Sequence, residues 1–133
     1  MKKMFALPCL IFTILAQLSF SQTKNVQKSE QEIIKLLCHN WQLTGMEVRG
    51  KAYPLPKGTE SSLSIKNDGT LVENDGDKTY PGKWTYKNNV LSVTTDGKGP
   101  VEKYKVIKLT DAEFVYEENE DGTITKMKMK KIE

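Results

Sequence analysis

The chain has 133 residues, room for one domain, with 28% charged residues and a formal charge of +3. Lysines and acids are interspersed along most of it, which suits a solvated surface and does not form the one-sided basic footprint of a nucleic-acid binder. Two cysteines and one histidine are too few for a zinc shell or a disulfide framework.

The first stretch, "MKKMFALPCLIFTILAQLSFSQ", opens with Lys2 and Lys3, runs apolar from Met4 to about Leu18 and ends in Ser19-Phe20-Ser21. That layout predicts a secretory signal peptide over residues 1–21, cut before Gln22, with small residues at the −3 and −1 positions. The apolar run falls short of the roughly 20 residues that cross a bilayer comfortably, so the expected protein is exported and not an integral membrane protein. Cys9 lies inside the apolar core after Leu7-Pro8, without the small residues that precede a lipidated cysteine. Cleavage removes two lysines and no acid, lowering the formal charge of +3 by two, and leaves Cys38 as the single cysteine of the mature chain. The destination beyond export, whether periplasm, envelope or medium, is left open.

Residues 22–28, "QTKNVQK", are polar and patternless and read as a disordered leader. In "SEQEIIKLLCHNW", Ser29 and Glu32 form a capping box, and Ile34, Leu37, Cys38 and Trp41 recur at helical spacing, predicting one short amphipathic helix over residues 29–39. From Trp41 onward the period becomes two. "WQLTGMEV", "SSLSIK", "TLVEN", "KTYPGKWTYK", "VLSVTT", "VEKYKVIKL", "EFVYEE" and "TITKMKMKKI" read as about eight strands. Asn67-Asp68-Gly69, Asn88-Asn89, Asp96-Gly97 and Asp121-Gly122 supply turns that tolerate positive φ. Connections this tight allow only an antiparallel meander, because parallel crossovers need a dozen or more residues. "GKAYPLPKGTE", residues 50–60, is the longest irregular connection and reads as a loop over one end of the sheet.

A meander of about eight strands escapes edge-to-edge aggregation by closing into an up-and-down barrel. The alternation agrees: Tyr80, Gly82, Trp84 and Tyr86 share a face, as do Leu91 with Val93, Phe114 with Tyr116, and Met127 with Met129, the last pair opposite Lys126, Lys128 and Lys130. The expectation is an apolar inner face and a charged outer face. Gly82 in mid-strand marks a place where the wall bends or another backbone comes close. The domain predicted over residues 29–133 is therefore mainly β, an antiparallel barrel with one short N-terminal helix.

The order and spacing of these motifs resemble the bacterial lipocalin-like domain family, small exported barrels of the calycin group. The likeness covers about residues 37–131 and lies in Leu37-x-x-x-Trp41-x-Leu43, "IKNDGTL", "GKWTYKNNVLSV", "YKVIKLTDAEFVYE" and "DGTITKMKMKK". It implies that Trp41 plugs one end of the barrel and that Lys130 or Lys131 lies over its ring. His39 stands where the family usually has glycine.

Cys38 and His39 are adjacent, point about 100° apart on a helix, and have no further Cys or His to complete a metal shell or a nucleophile-base pair. Both read as structural, and the chain reads as a non-enzyme without a cofactor. Asp75 and Asp77 in "NDGD" fall far short of a calcium-loop pattern, and Glu117, Glu118, Glu120 and Asp121, at a strand end and hairpin turn, read as a solvated face. The inward aromatic and methionine set, Trp41, Tyr80, Trp84, Tyr86, Tyr104, Phe114, Tyr116, Met127 and Met129, has two readings. It fills a small barrel solid, or it lines a cavity for one small hydrophobic molecule, the use lipocalins make of this architecture. The first would leave a protein-interaction or envelope-assembly module acting through loops 50–60 and 94–100. Barrel size favours a packed interior, while the leading functional expectation is binding of a small hydrophobic molecule.

Mature protein isolated from its native host should begin at or within a few residues of Gln22. An intact mass that retains residues 1–21 would refute the export signal.

Overall fold

The computed structural model describes residues 28–132 except 56, 59, 97 and 98. The predicted signal peptide, residues 1–21, and residues 22–27 of the predicted leader lie outside the described residues. Lys28 is described, and its Nζ donates to the Leu109 carbonyl at 3.3 Å. Among the described residues no helix is long and apolar enough to cross a membrane.

The helix α1 spans Glu30–Leu37. Ser29 caps it, its Oγ accepting from the Glu32 N–H at 3.3 Å, and Glu30 and Glu32 in the first turn suit the positive end of the helix. It ends two residues earlier than the spacing predicts. Cys38 leaves the helical region at φ −75°, ψ 67°, and the His39 N–H donates to Leu37 O at 2.8 Å, turning the chain directly into the first strand. Cys38 and His39 are half-buried at this corner, with Cys38 packed against the core.

Among the described residues nine strands follow: β1 (Asn40–Val48), β2 (Lys51–Tyr53), β3 (Ser61–Ile65), β4 (Thr70–Asp75), β5 (Lys78–Lys87), β6 (Val90–Thr95), β7 (Glu102–Leu109), β8 (Glu113–Glu120) and β9 (Thr123–Ile132). Every pairing is antiparallel, and β1 pairs with β9 from Asn40↔Ile132 to Val48↔Thr125, closing the barrel. Strands β1 and β3–β9 are the eight of the barrel. β2 falls in the stretch predicted to be loop. Arg49 and Gly50, both at positive φ (52° and 78°), make a two-residue turn that folds Lys51–Tyr53 back onto β1 as a short flap. Alternation could not announce three exposed residues whose pairing rests on backbone alone.

Two bulges shape the wall, one in β1 between Leu43 and Gly45 and one in β7 between Val106 and Lys108. Each shifts side-chain phase by one residue, so Leu43 and Met46 both face Met129 and Met127 across the seam. On the outer face Glu47 accepts from Lys128 Nζ at 2.9 Å and lies 3.8 Å from Lys126 Nζ.

The side chains with the least exposure, Leu37, Trp41, Leu71, Leu91, Val93 and Phe114, cluster toward one end, where α1 covers the barrel. Trp41 closes that end. Its indole N–H donates to Leu37 O at 2.9 Å, satisfying a carbonyl that the last turn of α1 leaves without a helical partner, and its ring lies 5.5 Å from that of Phe114 and 6.0 Å, edge-on, from His39. Lys131 lies directly across the ladder from Trp41, whereas Lys130 pairs with Gln42 on the opposite face.

The Gly82-x-Trp84 motif also resolves. A Cβ at position 82 would meet the Thr94 carbonyl oxygen at 2.4 Å and Thr95 Cα at 3.0 Å, so β5 and β6 approach more closely here than a side chain allows. Two residues on, the Trp84 indole N–H is shared between the carbonyls of Lys66 (2.8 Å) and Thr70 (3.1 Å), clamping the β3–β4 turn.

Gly82→Ala should therefore lower the denaturant midpoint by the equivalent of about 1–3 kcal/mol, the usual cost of forcing atoms into filled space. Gly45→Ala is the control, because its Cβ would meet only the Lys128 side chain at 3.7 Å; it should stay within about 1 kcal/mol of the parent. Equal effects would refute the close approach.

Candidate functional site

Away from α1 the barrel interior is not filled. A cavity of about 240 Å³ opens between the walls, lined from six strands. Leu43 of β1, Leu63 of β3 and Met127 and Met129 of β9 form its apolar side. Tyr104 of β7 and Tyr116 of β8 form its aromatic side, with rings stacked at 4.5 Å and 26°. Phe114 follows at 5.0 Å from Tyr116, so a continuous run of rings, Tyr104, Tyr116, Phe114 and Trp41, leads from the cavity to the plugged end.

Toward the mouth the lining becomes acidic, with Glu73 and Asp75 of β4, Glu102 of β7 and Glu118 of β8. The strand registers explain why. Glu73 pairs with Leu63 and Tyr80, Glu102 with Val93, and Glu118 with Tyr104; directly opposed residues share a face, and their partners face inward. This corrects the expectation that Glu118 lies on a solvated face and that charge is confined to the outer face, whereas Asp75 borders the mouth and is exposed. In the half of the barrel away from α1, carboxylates join apolar side chains on the inner face.

The nine residues predicted to line the interior divide accordingly. Tyr104, Tyr116, Met127 and Met129 border the cavity. Trp41, Trp84, Tyr86 and Phe114 are buried in the packed core; Tyr86 sits under α1, its hydroxyl donating to Asn89 Oδ1 at 3.1 Å. Tyr80 is half-buried opposite Glu73 and is not part of the cavity lining. Both expected modes thus occur in one barrel, solid at one end and hollow at the other. The acids were missed although their signal was present: the period that runs Phe114, Tyr116 continues to Glu118, and the one through Leu71 continues to Glu73 and Asp75.

The polar groups of the lining are partly tied to one another. The Tyr104 hydroxyl donates to Glu102 Oε2, and Ser61 Oγ reaches Asp75 Oδ1 at 3.5 Å. Tyr116 is only 6% exposed. Burial pushes both phenols well above the usual tyrosine range, Tyr104 with help from Tyr116 and the bonded Glu102, Tyr116 with help from the charges of Glu118, Glu73 and Glu102. Both remain neutral hydroxyls at physiological pH. His39, whose pKa is lowered by burial and by Lys131 against the opposing pull of Asp111, is not among the cavity's lining residues.

The model of the lipocalin-like domain family matches residues 37–116. The chain belongs to the lipocalin-like domain family. The match runs from the last residue of α1 to the middle of β8 and takes in Trp41, the Gly82-x-Trp84 hairpin and most of the cavity wall; β9, which closes this lipocalin-like barrel, lies beyond it. Neither a curated protein nor a solved structure gives a match. The fold is one that supports small-molecule binding, and the cavity lies within the lipocalin-like barrel itself.

The raised phenol pKa values carry a pH consequence. An unfolded tyrosine ionises near pH 10, where Tyr104 and Tyr116 in the barrel still hold their protons, so the folded state binds more protons than the unfolded state above that pH. Stability is therefore at full strength below about pH 10 and falls as pH rises above it. In an alkaline titration followed by tyrosinate absorbance, two of the five tyrosines should ionise only together with loss of the folded circular-dichroism signal. Ionisation of all five in the folded protein would contradict their burial.

Proposed function

We propose that this protein is an exported, non-enzymatic lipocalin-like barrel that binds one small molecule in the hollow half of its interior. The observation that carries this reading is the 240 Å³ cavity set between a packed floor and an open rim. Its size bounds the occupant. An apolar cavity of about 150 Å³ is large enough to take benzene, and drug-sized ligands occupy pockets of about 300–1,000 Å³. A volume between these suits a single ring or a short chain and is too small for a whole lipid. Leu43, Leu63, Met127 and Met129 offer the apolar surface, with methionines adapting to an irregular shape. The tyrosine hydroxyls and rim carboxylates offer the few polar groups that orient a ligand. Among the described residues the lining holds no histidine and no cysteine, which favours binding over catalysis.

Thermal unfolding in the presence of single-ring and short-chain compounds of all charge types should identify at least one class that raises the melting temperature in proportion to the logarithm of its concentration, as expected of a ligand bound only by the folded state. Ser61 borders the cavity and is half-buried; Ser61→Trp should occupy the space and abolish the shift while the unliganded protein still unfolds cooperatively. A parent protein indifferent to every compound would refute the reading and favour interaction through the loops.

A further inference from the structure

Interspersed along the chain, the lysines are gathered by the barrel onto one wall. The registers turn Lys103, Lys105 and Lys108 of β7 and Lys126, Lys128 and Lys130 of β9 to the outside, on either side of β8. The bulge in β7 brings Ile107 out beside Lys108. Three carboxylates share this surface: Glu113 bridges to Lys108, Glu47 of β1 to Lys128 and Lys126, and Glu117 lies opposite Lys105 and Lys126. The lysines outnumber them two to one, which leaves the wall positively charged. The opposite wall differs. Ser62, Ser64, Thr70, Val72 and Asn74, which β3 and β4 turn outward, are all uncharged.

The wall is apolar as well as basic. Ile107, 44% exposed, borders a groove with Ala112, Val115 and the side chains of Lys108, Lys126, Lys128 and Lys130. Ile124, 47% exposed, borders a second with Val90, Lys103 and Lys105, which Glu117 and Glu118 reach from β8. Each isoleucine therefore stands in water among lysines. These features select among anionic partners. Lysine presents a point charge, without the planar fork by which arginine grips a phosphate or a base. Among the described residues neither groove holds an aromatic ring on which a base could stack. Exposed isoleucines ringed by lysines match a surface where anionic headgroups overlie hydrocarbon.

We infer that the β7–β9 wall docks on an anionic phospholipid bilayer, with the lysines among the headgroups and Ile107 and Ile124 entering toward the acyl chains. The surface lies outside the barrel, so this docking does not depend on what the cavity holds.

Flotation of the protein isolated from its native host tests it, with vesicles of phosphatidylcholine alone and of phosphatidylcholine mixed with phosphatidylglycerol. The protein should float with the anionic vesicles at low salt, stay behind with the neutral ones, and be released at high salt, where exposed charges are screened. Each lysine near an anionic surface is worth about fivefold in binding, so Lys103→Gln, Lys105→Gln and Lys130→Gln together should weaken it by about a hundredfold. All three are exposed and the bridges of Glu47 and Glu113 stay in place, so this variant should keep the parent's melting temperature. Lys35→Gln, Lys51→Gln and Lys66→Gln remove the same charge from exposed positions on α1, on β2 and after β3, and should leave binding within about threefold of the parent. Ile107→Gln with Ile124→Gln should weaken flotation at unchanged charge.

Equal losses in the two lysine variants would reduce the effect to net charge and overturn the docking wall. Absence of flotation at low salt, or flotation with neutral vesicles as strong as with anionic ones, would do the same. Duplex DNA bound as tightly as the anionic vesicles at the same salt, with both affinities indifferent to the isoleucine substitutions, would overturn the bilayer as the partner.

Discussion

Strand β9 returns to β1 from far along the chain, so that the Thr44 hydroxyl donates to the carbonyl of a residue 84 positions away, Lys128, within a ladder running the length of both strands. Without that ladder both strands would be exposed edges, and the inner faces of eight strands would have nothing to enclose. Closure also fixes the diameter. A barrel of eight strands is just wide enough inside for side chains to fill, so small differences in what points inward decide whether a given level is solid or hollow. Every further property of the molecule, from the plug at one end to the acidic mouth at the other, is a consequence of which residues the closed registers turn inward.

At the α1 end the inward residues are large and apolar, and the helix completes the seal. Trp41 joins the two, because its ring packs on Phe114 while its N–H takes the Leu37 carbonyl, so helix and barrel share one core. Toward the other end the inward positions pass to tyrosines, methionines and then carboxylates, and the packing thins into a cavity. A protein selected for stability alone would not turn Glu73, Glu102 and Glu118 inward on adjoining and facing walls. Departures from the local rule of apolar inside and polar outside concentrate at functional sites, and here the departure coincides with a hollow part of the interior. The packed half supplies the stability that lets the other half keep charge and empty space.

The elements were legible to different degrees for physical reasons. The eight barrel strands follow from alternation and turn chemistry, both local: Asn88-Asn89 and Asp121-Gly122 take up positive φ, and only residues that tolerate it fit such turns. Ser29 and Glu32 announced the start of α1 correctly, but its end was overextended, because the early turn at Cys38 is imposed by the docking of Trp41 on Leu37. β2 was not legible, since its three exposed residues pair through backbone groups that every sequence carries. The candidate site was half legible: Tyr104, Tyr116, Met127 and Met129 stood out as apolar, whereas the acids beside them matched the composition of a solvated turn.

From the sequence alone came the strand order, the antiparallel meander, closure as its remedy for open edges and Gly82 as a bend or close approach, while the plug role of Trp41 came from the resemblance to lipocalin-like domains. Each depends on residue type and spacing over a few positions, and such constraints act before the chain has folded. The tertiary structure decided how deep the packed core reaches, where the cavity begins and which carboxylates face it. Those depend on two bulges and on the relative registers of strands distant in the chain, and a shift of one residue in either would carry Glu102 or Glu118 from the inside of the barrel to the outside.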